Sequence, residues 1–170
     1  MTNENHSINT EHPYALSKYL GEKSAMHWHK VYGLPVNSIR IFNAYGPRVR
    51  TTGAYGAVIG VFFKQKIEKK PLTIVGNGKQ TRDFVYVSDV VKAFIKVAEK
   101  GKSGECYNVG SGKETSINFI ARLIGGSKRN VTKKLDETER SLADITKIKK
   151  QLNWKPSITI EEGIGALLKK

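Results

Sequence analysis

Apolar and polar residues alternate along the chain in a way that predicts short helices and strands in turn. Over 13–32, Leu16, Leu20, Ala25, Trp28 and Val31 recur at near-helical spacing among polar residues, which predicts a helix burying that set. Pro13 suits its first turn, and Gly33 with Pro35 stops it. Residues 1–12 read as extended or irregular. Residues 36–42 read as a buried strand, and a strand after a helix suggests an α/β layer with parallel strands. Gly46-Pro47 then marks a turn at the strand's C-terminal end, where open α/β sheets place ligand-contacting loops. After a loop at 49–56 come a helix at about 57–69, a strand at 71–75 and a turn at Gly76-Asn77-Gly78. Ser88 reads as the N-cap of a helix running to about Glu99. A strand at 105–109 follows, then a helix over 117–124 capped by Ser116 and closed by Gly125-Gly126. Residues 127–143 are irregular and charged, with a strand near 130–135. Trp154 belongs in the core, and Glu161–Leu168 forms a last helix.

Length and composition narrow the classes. The 170 residues suffice for one core with an annex. A single cysteine, Cys106, excludes a disulfide framework and supplies no metal cluster. No apolar run is long enough to span a membrane, and the polar N-terminus lacks an apolar signal region, so a reducing cytoplasm is the expected compartment. The 29 Lys and Arg outnumber the 15 Asp and Glu, for a net charge of +14. These cations are spread along nearly every element, as on a solvated surface. A basic cleft for a pyrophosphate comes next, and a nucleic-acid face ranks last because the charge is not clustered with aromatics.

The candidate chemistry begins at Tyr14 and Lys18. Four residues apart on a helix, they share one face. A free tyrosine has a pKa of about 10, and a nearby ammonium favours the phenolate. Lowering that value to about 7 takes about 4 kcal/mol of differential interaction. The result would be a general base that removes a proton from a sugar or alcohol hydroxyl while hydride leaves the same carbon. Alone, the spacing is equally met by a surface helix with Tyr and Lys side by side. Gly76-Asn77-Gly78 is not a dinucleotide fingerprint, because Thr81 stands where a third glycine is needed.

Longer strings add context. PYALSK…GE at 13–22, RIFNAYGPR at 40–48, GNGKQTRDFVYVSDV at 76–90, YNVGSG at 107–112 and the ADI…LNWKP block at 143–156 occur in one order. Together they resemble the NAD-dependent epimerase/dehydratase family, the extended short-chain dehydrogenase/reductases that include the UDP-glucose 4-epimerases. The resemblance covers about residues 8–170, but only the C-terminal half of a family enzyme. It implies an α/β fold: the last strands of a Rossmann-type parallel sheet with a smaller α+β substrate-binding annex, the N-terminal βαβ cofactor half being absent. The expected division is an irregular segment at 1–12, a catalytic helix and strand at 13–46, and a substrate-binding part at 47–170, with 82–109 partly returning to the sheet.

The resemblance also implies roles. Tyr14 would be the base and Lys18 would bind the nicotinamide ribose of NAD, with Phe42 beside the nicotinamide. Asn43, Thr73, Val75, Arg82 and Asn108 would contact a nucleoside-diphosphate sugar, a UDP-sugar by the nearest likeness. Arg82 would clamp phosphate, its paired donors matching phosphate oxygens. The family's second phosphate arginine is replaced by Lys134, leaving Lys134 as a point charge and Arg140 as the other candidate. The family's glycine-rich turn and catalytic Ser or Thr would lie upstream of Tyr14. The expected function is therefore a nucleotide-sugar 4-epimerase whose chain is inactive alone, complemented by a separate N-terminal half and dimeric when intact. The alternatives are a 4,6-dehydratase fragment and a non-catalytic nucleotide-sugar-binding remnant.

Overall fold

The computed structural model describes residues 1–51, 58–132 and 138–169. Helix α1 (Pro13–Tyr32) fills the expected span, with Pro13 in its first turn and Gly33 closing it at φ 66°, a left-handed geometry that suits glycine. The strand expected at 36–42 is instead two strands, β1 (Ser38–Ile41) and β2 (Asn43–Tyr45), broken at Phe42. In chain order follow α2 (Val58–Ile67), β3 (Leu72–Val75), β4 (Thr81–Arg82), β5 (Phe84–Tyr86), α3 (Val87–Lys100), β6 (Cys106–Val109), β7 (Thr115–Ser116), α4 (Ile117–Ile124), β8 (Lys128–Val131), α5 (Thr146–Leu152) and α6 (Ile160–Leu168).

Parallel pairing dominates, as the helix–strand alternation predicts. β1 runs parallel to β6, β2 to β5 and β3 to β8, while β4 and β7 are antiparallel. The break at Phe42 has a plain cause: β1 and β2 pair with different strands. Phe42 N–H donates to Val109 O on β6, and the next amide, of Asn43, donates to Asp83 O beside β5.

Successive residues of a strand face opposite ways, and β5 uses this to serve two cores. Phe84 joins a cluster with Tyr45, Phe62, Leu72, Ile120 and Ile164, built by β2, α2, β3, α4 and α6. Val85 joins the other, with Ala93, Val97, Tyr107, Ile148 and Trp154, built by α3, β6 and α5. Trp154 is buried as expected, and its Nε1 donates to Asp89 O at 3.2 Å.

Three expectations need correction. α1 buries none of its residues: Leu20 is 55% and Trp28 52% exposed, Leu16 and Val31 are exposed as well, and Ala25 is half-buried. The helix meets the sheet through a polar contact instead. Glu22 accepts from Arg40 Nε at 2.8 Å and NH2 at 2.7 Å, and its apolar stripe points away. Ser88 is not the cap of α3. β5 leads directly into the helix, Tyr86 takes the cap position without a side-chain bond, and Ser88 lies in the first turn. The strand expected near 130–135 begins earlier, because β8 pairs with β3 from Leu72↔Lys128 to Val75↔Val131. The helix at 117–124 forms as expected, with Ser116 Oγ accepting from Phe119 N–H at 3.2 Å.

The N-terminal residues are held rather than loose. Thr2 N–H donates to Leu142 O at 2.8 Å, and Asp144 N–H donates to Thr2 O at 2.9 Å. The described residues include no helix long and apolar enough to cross a membrane.

Candidate functional site

Helical geometry places Tyr14 and Lys18 one turn apart. The Lys18 ammonium lies 5.4 Å from the centroid of the Tyr14 ring, and Tyr14 is 52% exposed. Both line an open groove of about 830 Å³ between α1, β1 and the N-terminal segment. Phe42 and Asn108 line the same groove, so four of the expected site residues come together. Its volume lies within the usual range for small-molecule sites, roughly 300–1,000 Å³.

The groove's electrostatics come from Glu22 and Arg40. A charged residue in an otherwise apolar strand needs a partner, and Arg40 finds Glu22 on the facing helix. The hydrogen bond from Arg40 holds the Glu22 carboxyl below the usual carboxylate range, against the opposing effect of burial. Cys106 Sγ lies 3.7 Å from the same carboxylate, and burial together with that negative charge pushes its thiol up to about 11. The thiol is therefore protonated at neutral pH. Neither Glu22 nor Arg40 is among the expected site residues; the sequence signal for the pair is a lone arginine inside the run Ser38-Ile39-Arg40-Ile41.

The remaining expected residues are distributed more widely. Asn108 is buried on β6, and both hydrogens of its amide are used inside the chain, donating to Thr2 O at 3.0 Å and Asp144 O at 3.3 Å. Its backbone N–H donates to Glu4 Oε1 at 2.8 Å. Asn43 opens β2 and donates through Nδ2 to Asp83 O at 3.1 Å. Arg82 is the neighbour of that same Asp83 and donates through NH1 to Thr81 O at 2.9 Å. Asn43 and Arg82 are thus brought together through one residue. Thr73 and Val75 sit on β3. Thr73 is bonded at both N–H and Oγ1 by Gln65, and Val75 O accepts from Gln80 Nε2. Arg140 pairs with Thr81 in an isolated parallel bridge. Its guanidinium forms a bidentate pair with Glu114, 2.8 Å at each oxygen, which raises the Arg140 pKa. Lys134 lies outside the described residues.

Two buried carboxylates, Asp83 and Asp89, carry no signal in the sequence that sets them apart from surface acids. Both are fully buried. Asp89 accepts from Ser157 Oγ and N–H and from Ile158 N–H. Burial alone would raise its pKa, but these bonds and Lys92 hold it below the usual range. Asp83 accepts from Ser111, Gly112 and Ala143.

The donors present fit one end of a dinucleotide. A hydroxyl, an ammonium and an aromatic ring, at Tyr14, Lys18 and Phe42, open onto one groove with room for a nicotinamide and its ribose.

Comparison with known proteins narrows the class. A family model described as GDP-mannose 4,6 dehydratase matches residues 1–167. A provisionally named UDP-glucose 4-epimerase of Methanocaldococcus jannaschii is 41% identical over 95% of this chain and 53% of its own length. Among solved structures, UDP-glucose 4-epimerase of Thermotoga maritima with UDP-glucose superposes with a TM-score of 0.86 at 32% identity, over 99% of this chain and 56% of that one. The dTDP-glucose 4,6-dehydratase of Streptomyces venezuelae, with NAD bound, gives 0.87 at 25% identity, over 99% of this chain and 53% of that one. The chain thus spans about half the length of the relatives it matches, which fits a C-terminal portion of such enzymes. It belongs to the NAD-dependent epimerase/dehydratase family.

Proposed function

We propose that this chain carries the proton-transfer and substrate-holding half of a nucleoside-diphosphate-sugar 4-epimerase acting on a UDP-sugar. The observation that carries the reading is the single groove lined by Tyr14, Lys18, Phe42 and Asn108. Tyr14 is the base for the sugar C4 hydroxyl, and Lys18, one turn along the same helix face, holds the nicotinamide ribose. Phe42 packs beside the nicotinamide. NAD held by Lys18 and Phe42 would supply the hydride acceptor and donor for the sugar C4 carbon. Arg82 and Asn43 hold the diphosphate, while Thr73 and Val75, with Lys134 or Arg140, serve the nucleotide end, and Asn108 ties the N-terminal segment to the groove through Thr2. In this reading 13–46 belongs to the sheet part and 47–170 to the substrate-binding part, with 82–109 partly returning to the sheet.

The reading includes inactivity of the chain by itself, since Tyr14, Lys18 and Phe42 offer a dinucleotide only its nicotinamide end. The test mixes the purified chain with a separately made N-terminal half of a family epimerase and follows UDP-glucose conversion. Turnover should need both pieces and vanish with Tyr14→Phe. Tight NAD binding by the isolated chain, at low micromolar concentration in calorimetry, would overturn the inactivity. The description of the matched family model favours a second reading, 4,6-dehydration. A 4-keto-6-deoxy product in the same mixture would establish it. Stabilisation by UDP-glucose with no turnover in any mixture would leave a binding remnant.

A further inference from the structure

We propose that Asp83 is the positioning residue that sets Arg82 and Asn43 as one phosphate-binding unit, an inference that rests on the reading just given. Asp83 is fully buried, and its carboxylate accepts hydrogen bonds from donors in distant segments. Oδ1 accepts from Ser111 N–H at 2.6 Å and Ser111 Oγ at 2.7 Å. Oδ2 accepts from Gly112 N–H at 2.9 Å and Ala143 N–H at 3.1 Å. The side chain therefore pins the turn after β6 and the segment carrying Arg140 to the junction of β4 and β5.

The backbone of the same residue does the rest. Asp83 O accepts from both the N–H and the Nδ2 of Asn43, each at 3.1 Å. Arg82 precedes it directly. A carboxylate locked at four points fixes the peptide planes on either side of its Cα. The direction in which Arg82 leaves β4 and the distance to the Asn43 amide are then set together. The packing around the carboxylate is close: a Cβ at Gly110 would come within 2.7 Å of Asp83 Oδ2 and of the Ala143 side chain. An amide in place of the carboxylate would turn an NH₂ toward N–H groups, leaving buried donors facing donors.

The test is a double-mutant cycle on UDP-glucose binding, read by calorimetry on the full chain. Asp83→Asn should weaken binding about tenfold or more in the otherwise native chain. In an Arg82→Ala background the same substitution should cost about twofold at most, because the contact it positions is gone. Losses that multiply independently would reduce Asp83 to a support of the fold and overturn the proposal. Ser111→Ala, which removes one donor and leaves the carboxylate, is the milder variant should Asp83→Asn not fold, and it should shift affinity in the same direction. A ligand-free measurement separates this proposal from the functional reading. In NMR spectra of the variant, the Asn43 side-chain amide and Arg82 Nε resonances should move. Unmoved resonances would overturn the positioning role even if UDP-glucose binds. Failure of the native chain to bind UDP-glucose, with those resonances moved, would overturn the functional reading alone.

Discussion

Glu22 shows how a single charged contact takes the place of an apolar interface. Its carboxylate is held below the usual range chiefly by Arg40, so its stabilising effect depends on pH in a definite direction. A carboxyl whose folded pKa lies below its unfolded value of about 4.3 adds stability above that value and loses it as pH falls through the folded pKa. Melting temperatures taken between about pH 5 and pH 3 should fall more steeply for the native chain than for Glu22→Gln. Parallel slopes would mean that the pair contributes nothing. Arg82 carries a second expectation at this scale. If its paired donors meet phosphate, Arg82→Lys should keep the charge and lose the fork, leaving UDP-glucose affinity between those of native and Arg82→Ala. A lysine variant as weak as alanine would place the guanidinium's geometry, and not its charge, at the centre of binding.

Short elements depend on their ends and on close approach. α6 begins with a capping box: Thr159 Oγ1 accepts from Glu162 N–H at 3.2 Å, and Glu162 Oε2 accepts from Thr159 N–H at 2.8 Å. Thr159→Ala should lower stability by about 1 kcal/mol in urea titration, the usual cost of a lost N-cap. Gly163, one turn on, sits against Tyr45, and a Cβ there would overlap its hydroxyl. Gly163→Ala should therefore cost about 1–3 kcal/mol, reversing the usual preference for alanine within a helix. A neutral result would show that α6 shifts to make room. Features of this local kind were legible in the sequence. The Ser116 cap, the Gly33 stop and the Tyr14–Lys18 spacing depend on neighbours a few residues away. The Asp83 bonds could not be read in that way, since their donors lie 28 to 60 residues along the chain. The burial assigned to Leu16, Leu20, Trp28 and Val31 failed for a different reason. Periodicity tells which side of a helix is apolar, but not whether anything covers it.

Taken as a whole, the molecule holds its stability unevenly. The two cores join β2, β3, β5, β6 and the helices α2 to α6, whereas α1 contributes no residue to either. α1 is anchored by the Glu22–Arg40 pair, and its ends are otherwise tied through Gly33 and the N-terminal segment. Twenty residues of helix with so little apolar contact should open well below the global unfolding free energy, because most helical stability in proteins comes from a packed face. Opposite it, α3 is anchored by Val90, Ala93 and Val97 but also leaves Val91, Phe94 and Ile95 about half exposed. Hydrogen exchange followed by mass spectrometry should show α1 amides exchanging far faster than those of α4, with α3 between them. The exposed stripe also makes a demand on thermal stability. Leu20→Ser should leave the melting temperature nearly unchanged, since surface substitutions fall within about 0.5 kcal/mol, whereas Ile120→Ala in the core should cost about 2–5 kcal/mol. If a complementary N-terminal half restores turnover as proposed, adding it should slow exchange in α1 and α3 selectively, because those are the elements with apolar surface left to cover. Protection of α1 equal to that of α4 in the isolated chain would contradict this division. It would place the covering of α1 within the chain's own self-association, which sedimentation at two concentrations would then reveal.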